Sequence, residues 1–178
     1  MKSFLKILLV ALVVLLNGCS TTSEGNVYAD QKPTLSLQQY FNGTLDAWGM
    51  FQDRSGKVVK RFTVVIQCKW EGDTGTLDED FTYSDGTKQR RIWTLKKVGP
   101  NKFIGTASDI VGEAIGITDG NTLRWKYVLA LPVDGRIINV SFDDLMVQMD
   151  QHVMLNHAVM SKFGFKVGDI SLSFNKRP

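Results

Sequence analysis

The stretch that decides the fold is WKYVLALPVDGRIINVSFDD, residues 125–144. Asp134 and Gly135 are typical of a two-residue hairpin turn, which predicts antiparallel partners whose numbers sum to 269. In this register one face is almost wholly apolar, whereas a slip of one residue would mix the two faces. The predicted inner pairs are Leu131 with Ile138, Leu129 with Val140, Tyr127 with Phe142, and Trp125 with Asp144. We therefore expect a hairpin with one buried face, on which Asp144 is the exception.

The remainder of the chain after residue 43 repeats this arrangement of short strands and turns. Turn signals recur at Ser55-Gly56, Gly72-Asp73, Asp85-Gly86, Gly99-Pro100, Asp119-Gly120, Asp134-Gly135 and Gly164. No amphipathic run of twelve or more residues separates them, which favours an all-β antiparallel barrel of about eight to ten strands. Residues 36–41 predict one short helical turn before the first strand, ended by Asn42-Gly43.

The N-terminus reads as a targeting segment. Two lysines precede ten apolar residues at 7–16, a run too short to span the roughly 30 Å of a bilayer core as a helix. The junction Leu16-Asn-Gly-Cys19 resembles a bacterial lipobox, which implies cleavage before Cys19 and acylation of that cysteine. The alternative is a plain secreted protein with a chance cysteine at the boundary.

These features divide the chain into three parts: a signal peptide with an N-terminal helix over 1–18, a lipidated flexible tether over 19–35, and one barrel domain over 36–178. Ser20 follows the cysteine where an Asp would resemble an inner-membrane retention signal. We therefore expect a lipid anchor in the bacterial outer membrane, on its periplasmic face.

The net charge argues against nucleic acid as a partner. The full chain carries +3, which falls to +1 once Lys2 and Lys6 leave with the signal peptide. A nearly neutral surface gives no electrostatic footprint for a polyanion. Cys68 then remains as the single thiol, and its apolar strand neighbours predict a small buried core residue.

A second hairpin, turning at Asp85-Gly86, predicts partners that sum to 171 if its turn also has two residues. Asp80 then faces Arg91 on one side. Glu79 and Arg90 share the other side, which we take as the inner face, and Trp93 then points outward together with Leu95. The acidic run 78–80 is thus expected to form cross-strand ion pairs and not a metal site, because alternation separates its side chains.

Glu79, Arg90 and Asp144, together with Trp125 and Tyr127, form the predicted inner polar set. An apolar cavity with a few convergent polar groups is the usual form of a small-ligand site. The alternative is structural, because buried charges can pair with one another inside a barrel filled by its own side chains. No nucleophile elbow, phosphate loop or metal-ligand motif occurs, so the sequence predicts no enzyme, no cofactor and no metal.

A short helix that leads through Gly43 to a strand bearing Trp48, followed by repeated hairpins, resembles a calycin or lipocalin-like barrel. A second set of motifs covers nearly the whole chain: the lipobox, Phe41–Phe51, Leu77–Phe81, Asp85-Gly86 with Arg90 and Trp93, Val111–Ala114, and Met160–Phe165. In these motifs the chain resembles a family of proteobacterial lipoproteins that carries only the label domain of unknown function 3833. The resemblance implies a location and no chemistry.

Two functional hypotheses follow. The first is a non-catalytic envelope lipoprotein that binds or carries a small hydrophobic or amphiphilic molecule inside the barrel. The second is a structural or assembly lipoprotein that contacts other envelope proteins and has a filled barrel. The sequence names no protein partner for either.

Overall fold

The structure is a computed structural model that describes residues 27–133 and 135–178. The predicted signal peptide, Cys19 and residues 19–26 of the predicted tether lie outside the described residues. The described remainder of that tether, 27–35, contacts the barrel. The backbone N–H of Tyr28 donates to Asp119, and that of Leu35 donates to the carbonyl of Gly120.

The described residues form one short helix and ten strands. They are α1 (Leu37–Tyr40), β1 (Gly43–Asp53), β2 (Val58–Glu71), β3 (Thr74–Tyr83), β4 (Lys88–Lys97), β5 (Lys102–Thr106), β6 (Ala114–Asp119), β7 (Thr122–Val133), β8 (Arg136–Gln148), β9 (Val153–Lys162) and β10 (Phe165–Lys176). Each strand pairs antiparallel with its neighbours in sequence, and β1 pairs with β10 to close the barrel. The predicted all-β barrel and the short helix before its first strand are confirmed.

The β7–β8 hairpin has the predicted register. Leu131 lies opposite Ile138 and Trp125 lies opposite Asp144, as the sum of 269 requires. Burial alternates along both strands, because an apolar face that packs inward is stable in only one register. Asp144 is 4% exposed and therefore belongs to the interior.

The β3–β4 hairpin is displaced by one residue from the predicted register, so that prediction is wrong. Partners sum to 170: Asp80 faces Arg90, and Glu79 faces Arg91. The backbone N–H of Tyr83 donates to the carbonyl of Thr87, which makes the turn three residues long, and Gly86 takes φ +84°. Such a turn ends on a left-handed residue, where glycine avoids the steric strain of a side chain.

This shift exchanges the two faces of β4. Trp93 and Leu95, expected on the outside, are 6% and 4% exposed in the core. Arg90, expected on the inside, lies on the outer face and forms a two-pronged ion pair with Asp78, with nitrogen–oxygen distances of 2.7 and 2.5 Å.

α1 and the residues beside it cover one end of the barrel, which we call the capped end. Leu37 and Phe41 are buried in the main apolar cluster, together with Leu45 and Ile66. The Tyr40 hydroxyl donates to the carbonyl of His152 at 2.8 Å, which fixes the helix against the start of β9. This end of the barrel is therefore closed by the chain itself.

A second apolar cluster lies toward the other end. It consists of Leu129, Val140, Phe142, Ala158 and Met160. Cys68 is buried in the main cluster, as predicted, and burial raises the pKa of its thiol to about 12. In the described part of the chain, no helix has the length and apolar character needed to cross a bilayer.

Candidate ligand-binding site

A cavity of about 130 Å³ lies inside the barrel, between the capped end and the second apolar cluster. Its wall is mostly apolar, but Glu79, Arg91, Asp144 and Asn156 also reach it. Glu79 lies on β3 and Arg91 on β4. Asp144 lies on β8 and Asn156 on β9. The barrel wall thus brings polar groups from four strands to one interior space.

Arg91 takes the place that the sequence assigned to Arg90. Its Nη2 lies 2.8 Å from Oδ2 of Asp109, and its Nε donates to the same carboxylate at 3.0 Å. Nη1 lies 3.8 Å from Oε2 of Glu79. The side chain is 12% exposed, and among the described residues that line the cavity this guanidinium is the one cation, which serves two carboxylates at once.

Glu79 lies opposite Arg91, with its side chain 13% exposed. Burial raises the pKa of its carboxyl to about 7. The positive charge of Arg91 lowers this pKa only in part, and the negative charge of Asp109 raises it further. A carboxyl in this position exchanges its proton near neutral pH, unlike an exposed glutamate.

Among the described residues, Asp144 has no ion-pair partner. Its Oδ2 accepts a long hydrogen bond of 3.4 Å from the amide of Asn156, and its Oδ1 has no donor among the described residues. Burial raises the pKa of its carboxyl to about 7, with the hydrogen bond from Asn156 opposing the shift. Oδ1 of Asn156, itself 7% exposed, also lacks a donor among these residues. Two buried acceptors therefore share one unsatisfied region of the interior.

Aromatic rings flank these polar groups. The Trp93 ring packs edge-to-face against Trp125, with centroids 5.7 Å apart, and against Tyr127, with centroids 5.5 Å apart. Tyr127 stacks on Phe142 at 4.8 Å. The predicted neighbourhood of Asp144 with Trp125 and Tyr127 is therefore present, and Trp93 joins it.

Of the predicted site residues, Glu79, Trp125, Tyr127 and Asp144 line the cavity, whereas Arg90 does not. Sequence reasoning missed Arg91 and Asn156, although alternation within their own strands indicated both. Asn156 shares the face of Met154, Ala158 and Met160, and Arg91 shares that of Trp93. Asp109, in the loop between β5 and β6, had no such signal.

Charged groups also cluster elsewhere on the barrel, but no group of three or more His, Cys, Asp or Glu side chains is arranged to hold a metal ion within the described ranges 27–133 and 135–178.

Comparison with known proteins adds two findings. A family model described as "Protein of unknown function (DUF3833)" matches residues 13–176. The barrel is also similar to the S-type phycobiliprotein lyase CPES from Guillardia theta. The TM-score is 0.59 at 10% sequence identity, over 81% of this chain and 93% of that chain. A search of curated proteins found no match.

The similarity to a lyase corrects one expectation. The prediction that the chain is not an enzyme is contradicted, because a protein with the same barrel fold is named as an enzyme. The absence of a familiar catalytic motif was the basis of that prediction, and such motifs are specific to their own folds. At 10% identity the likeness shows the fold alone, so the chemistry of this interior has to be argued from its own residues.

Proposed function

The chain belongs to the DUF3833 family, and we propose that its barrel binds a small, mainly apolar molecule in the interior cavity. The observation that carries the proposal is the wall itself, where an apolar space of about 130 Å³ meets the unsatisfied oxygens of Asp144 and Asn156. A barrel filled by its own side chains would leave no such space beside these two acceptors.

The size of the cavity limits the ligand. An engineered cavity of about 150 Å³ holds benzene, so this space suits a single ring or one end of a longer molecule. The shared fold with a phycobiliprotein lyase supports a role in handling small ligands. The competing hypothesis of a filled structural barrel predicts that no such molecule enters.

The test is to bind a neutral probe, toluene, to the purified full chain and to a variant with the cavity filled. Ala158 is 1% exposed and lines the cavity, so Ala158→Leu places extra atoms there. Leu155→Phe is the matched control, because it adds bulk on the outer face of the same strand, at a residue that is 45% exposed. We expect ligand-observed NMR to detect toluene on the unmodified chain and on the control, and not on Ala158→Leu.

Equal signals from all three chains, or none from any, would contradict interior binding and favour the structural barrel. Native mass spectrometry of the chain purified from its own membrane provides the complementary measurement. It should show a co-purifying small molecule that Ala158→Leu removes.

We also propose that Cys19 is acylated and anchors the chain at the periplasmic face of the bacterial outer membrane. The support is the sequence of residues 1–19. Cys19→Ser should leave unprocessed precursor and stop labelling by a fatty-acid probe, with Cys68→Ser as the control that keeps its label. Continued labelling of Cys19→Ser would contradict the anchor.

A further inference from the structure

The charges of the cavity wall do not balance. Glu79 and Asp144 reach the cavity with carboxyl groups that are ionised above about pH 7. Asp109, in the loop between β5 and β6, binds Arg91. Among the described residues, the cation of the cavity wall is Arg91, which donates to Asp109 and whose Nη1 lies 3.8 Å from Glu79. Asp144 is left with a single long hydrogen bond from a neutral amide.

The unsatisfied atoms are of one kind. Oδ1 of Asp144 and Oδ1 of Asn156 are both acceptors, and both residues are more than nine-tenths buried. The orientation of the Asn156 amide follows from its hydrogen bond, since the nitrogen is the atom that donates to Asp144. Such a pair of acceptors is complementary to a group that carries several donors and no acceptor. An ammonium group has this property, with three N–H donors.

The rings beside these acceptors suit a cation as well. Trp93, Trp125 and Tyr127 line the same cavity, with Trp93 in edge-to-face contact with each of the other two. Aromatic faces attract cations through the ring quadrupole, and they cover an apolar body at the same time. A hydroxyl-bearing ligand would satisfy one acceptor and would leave the negative charge of Asp144 uncompensated.

We infer that the cavity is selective for a small organic amine, bound as its ammonium form with the nitrogen between Asp144 and Asn156 and the apolar body against Trp93 and Trp125. This inference rests on the proposed function and names the chemical class of its ligand. The raised pKa of the Asp144 carboxyl is consistent with it, because a cation at this position would hold the carboxylate ionised.

The experiment compares three probes of nearly equal size on the purified full chain at about pH 8. Benzylamine carries the ammonium group, benzyl alcohol carries a neutral donor, and toluene carries none. We expect calorimetry or ligand-observed NMR to give benzylamine at least a roughly tenfold higher affinity than toluene, the amount that one favourable charged hydrogen bond supplies.

Two neighbouring substitutions locate the effect. Asp144→Asn removes the inner carboxylate and keeps its shape, so the advantage of benzylamine over toluene should disappear. Asp143→Asn is the matched control, because Asp143 is on the outer face and binds Arg124 with two hydrogen bonds of 2.8 Å. It should leave the affinity for toluene unchanged and should keep the advantage of benzylamine over toluene, because the inner carboxylate is still present.

A second measurement needs no variant. The groups whose charges act on Asp144 are Asp143, Arg91 and Glu79, and Tyr127 lies next to it. Lowering the pH from about 8 to about 5 protonates the carboxyl groups of Asp144 and Glu79, whereas Arg91 keeps its charge. The cavity wall therefore loses negative charge over this range. Benzylamine binding should weaken over this range, whereas toluene binding should not.

The outcomes separate the two proposals. If toluene and benzyl alcohol bind as tightly as benzylamine, and Asp144→Asn changes nothing, the selectivity for amines is wrong and interior binding stands. If none of the three probes binds the unmodified chain, both proposals fail.

Discussion

Adjacent residues of this barrel wall differ sharply in their surroundings. Arg90 and Asp143 lie on the outer face, where each forms a two-pronged ion pair in contact with water. Arg91 and Asp144, the next residues along the chain, lie inside. There, among the described residues, the Arg91 guanidinium serves two carboxylates, whereas the Asp144 carboxyl has no ion-pair partner. These two outer ion pairs are therefore balanced, whereas the inner group carries a negative excess once its carboxyl groups are ionised above about pH 7.

The difference follows from solvation. Outside, water screens each charge, so an ion pair adds little to stability and is free to form wherever partners meet. Inside, each charge bears a desolvation cost of several kcal/mol unless it is paired and hydrogen-bonded. An unbalanced inner face is therefore a cost to the fold, and the proposed ligand is what would offset it.

The largest expected effect comes from removing the inner cation. Arg91→Met leaves Glu79 and Asp109 without their guanidinium in a nearly buried site. We expect the free energy of unfolding at about pH 8 to fall by about 3 kcal/mol, the lower end of the range for breaking a buried pair. The lower end applies because the Asp109 side chain retains 23% exposure.

Urea denaturation of Arg91→Met and of the unmodified chain measures this loss. Arg91→Lys serves as the control for charge alone, since a lysine keeps the cation and loses the two-pronged geometry. A loss from Arg91→Met below about 1 kcal/mol, the value typical of exposed pairs, would mean that the inner and outer faces do not differ.

The second-largest effect is expected for Asp144→Asn, which should raise the free energy of unfolding where Arg91→Met lowers it. Burial raises the pKa of the Asp144 carboxyl from 3.8 to about 7. Between these values the folded chain binds more protons than the unfolded chain, so this group lowers stability progressively as the pH rises and has its full cost above about pH 7. Asp144→Asn removes that cost, and the variant should be the more stable protein at neutral pH.

The advantage of Asp144→Asn should widen by about 2 kcal/mol between about pH 5 and pH 8. Denaturant melts of the ligand-free proteins at several pH values measure it. A residual slope should persist in the variant, because Glu79 also titrates in this window. A variant that is less stable at pH 8 would show that Asp144 is paired after all.

The two hairpins also show how far the sequence predicts this site. The β7–β8 register was predictable because its Asp-Gly turn and the alternation of both strands agree, and it placed Trp125, Tyr127 and Asp144 correctly. In β3–β4 the turn and the alternation disagree. A two-residue turn at Asp85-Gly86 forced Trp93 outward, whereas the three-residue turn lets it pack inside.

The wrong register of β3–β4 arose because the turn type was given more weight than the apolar alternation of β4. Burying a tryptophan contributes far more free energy than a choice between two turn types that both accept Asp-Gly, so the apolar alternation of β4 decides the register. The contact of Asp109 with Arg91 could not be predicted from the sequence, for a different reason. It lies in the loop between β5 and β6, and its contact with Arg91 depends on how that loop crosses the barrel.

The smallest expected change in stability is that of Arg90→Met, which makes on the outer face the substitution that Arg91→Met makes on the inner face. Arg90→Met removes the ion pair with Asp78, which holds the pKa of that carboxyl below its usual range through the hydrogen bonds of the guanidinium. The Arg90 side chain is 61% exposed, so water replaces the lost contacts of Asp78. The denaturation midpoint should therefore stay within error of the unmodified chain, and the affinities for toluene and benzylamine should not change.

Arg90→Met and Arg91→Met make the same chemical change at adjacent positions, so measuring them together isolates the effect of the face. If Arg90→Met proved as destabilising as Arg91→Met, the distinction between the two faces would fail, and with it the argument that the inner charges are there for a ligand.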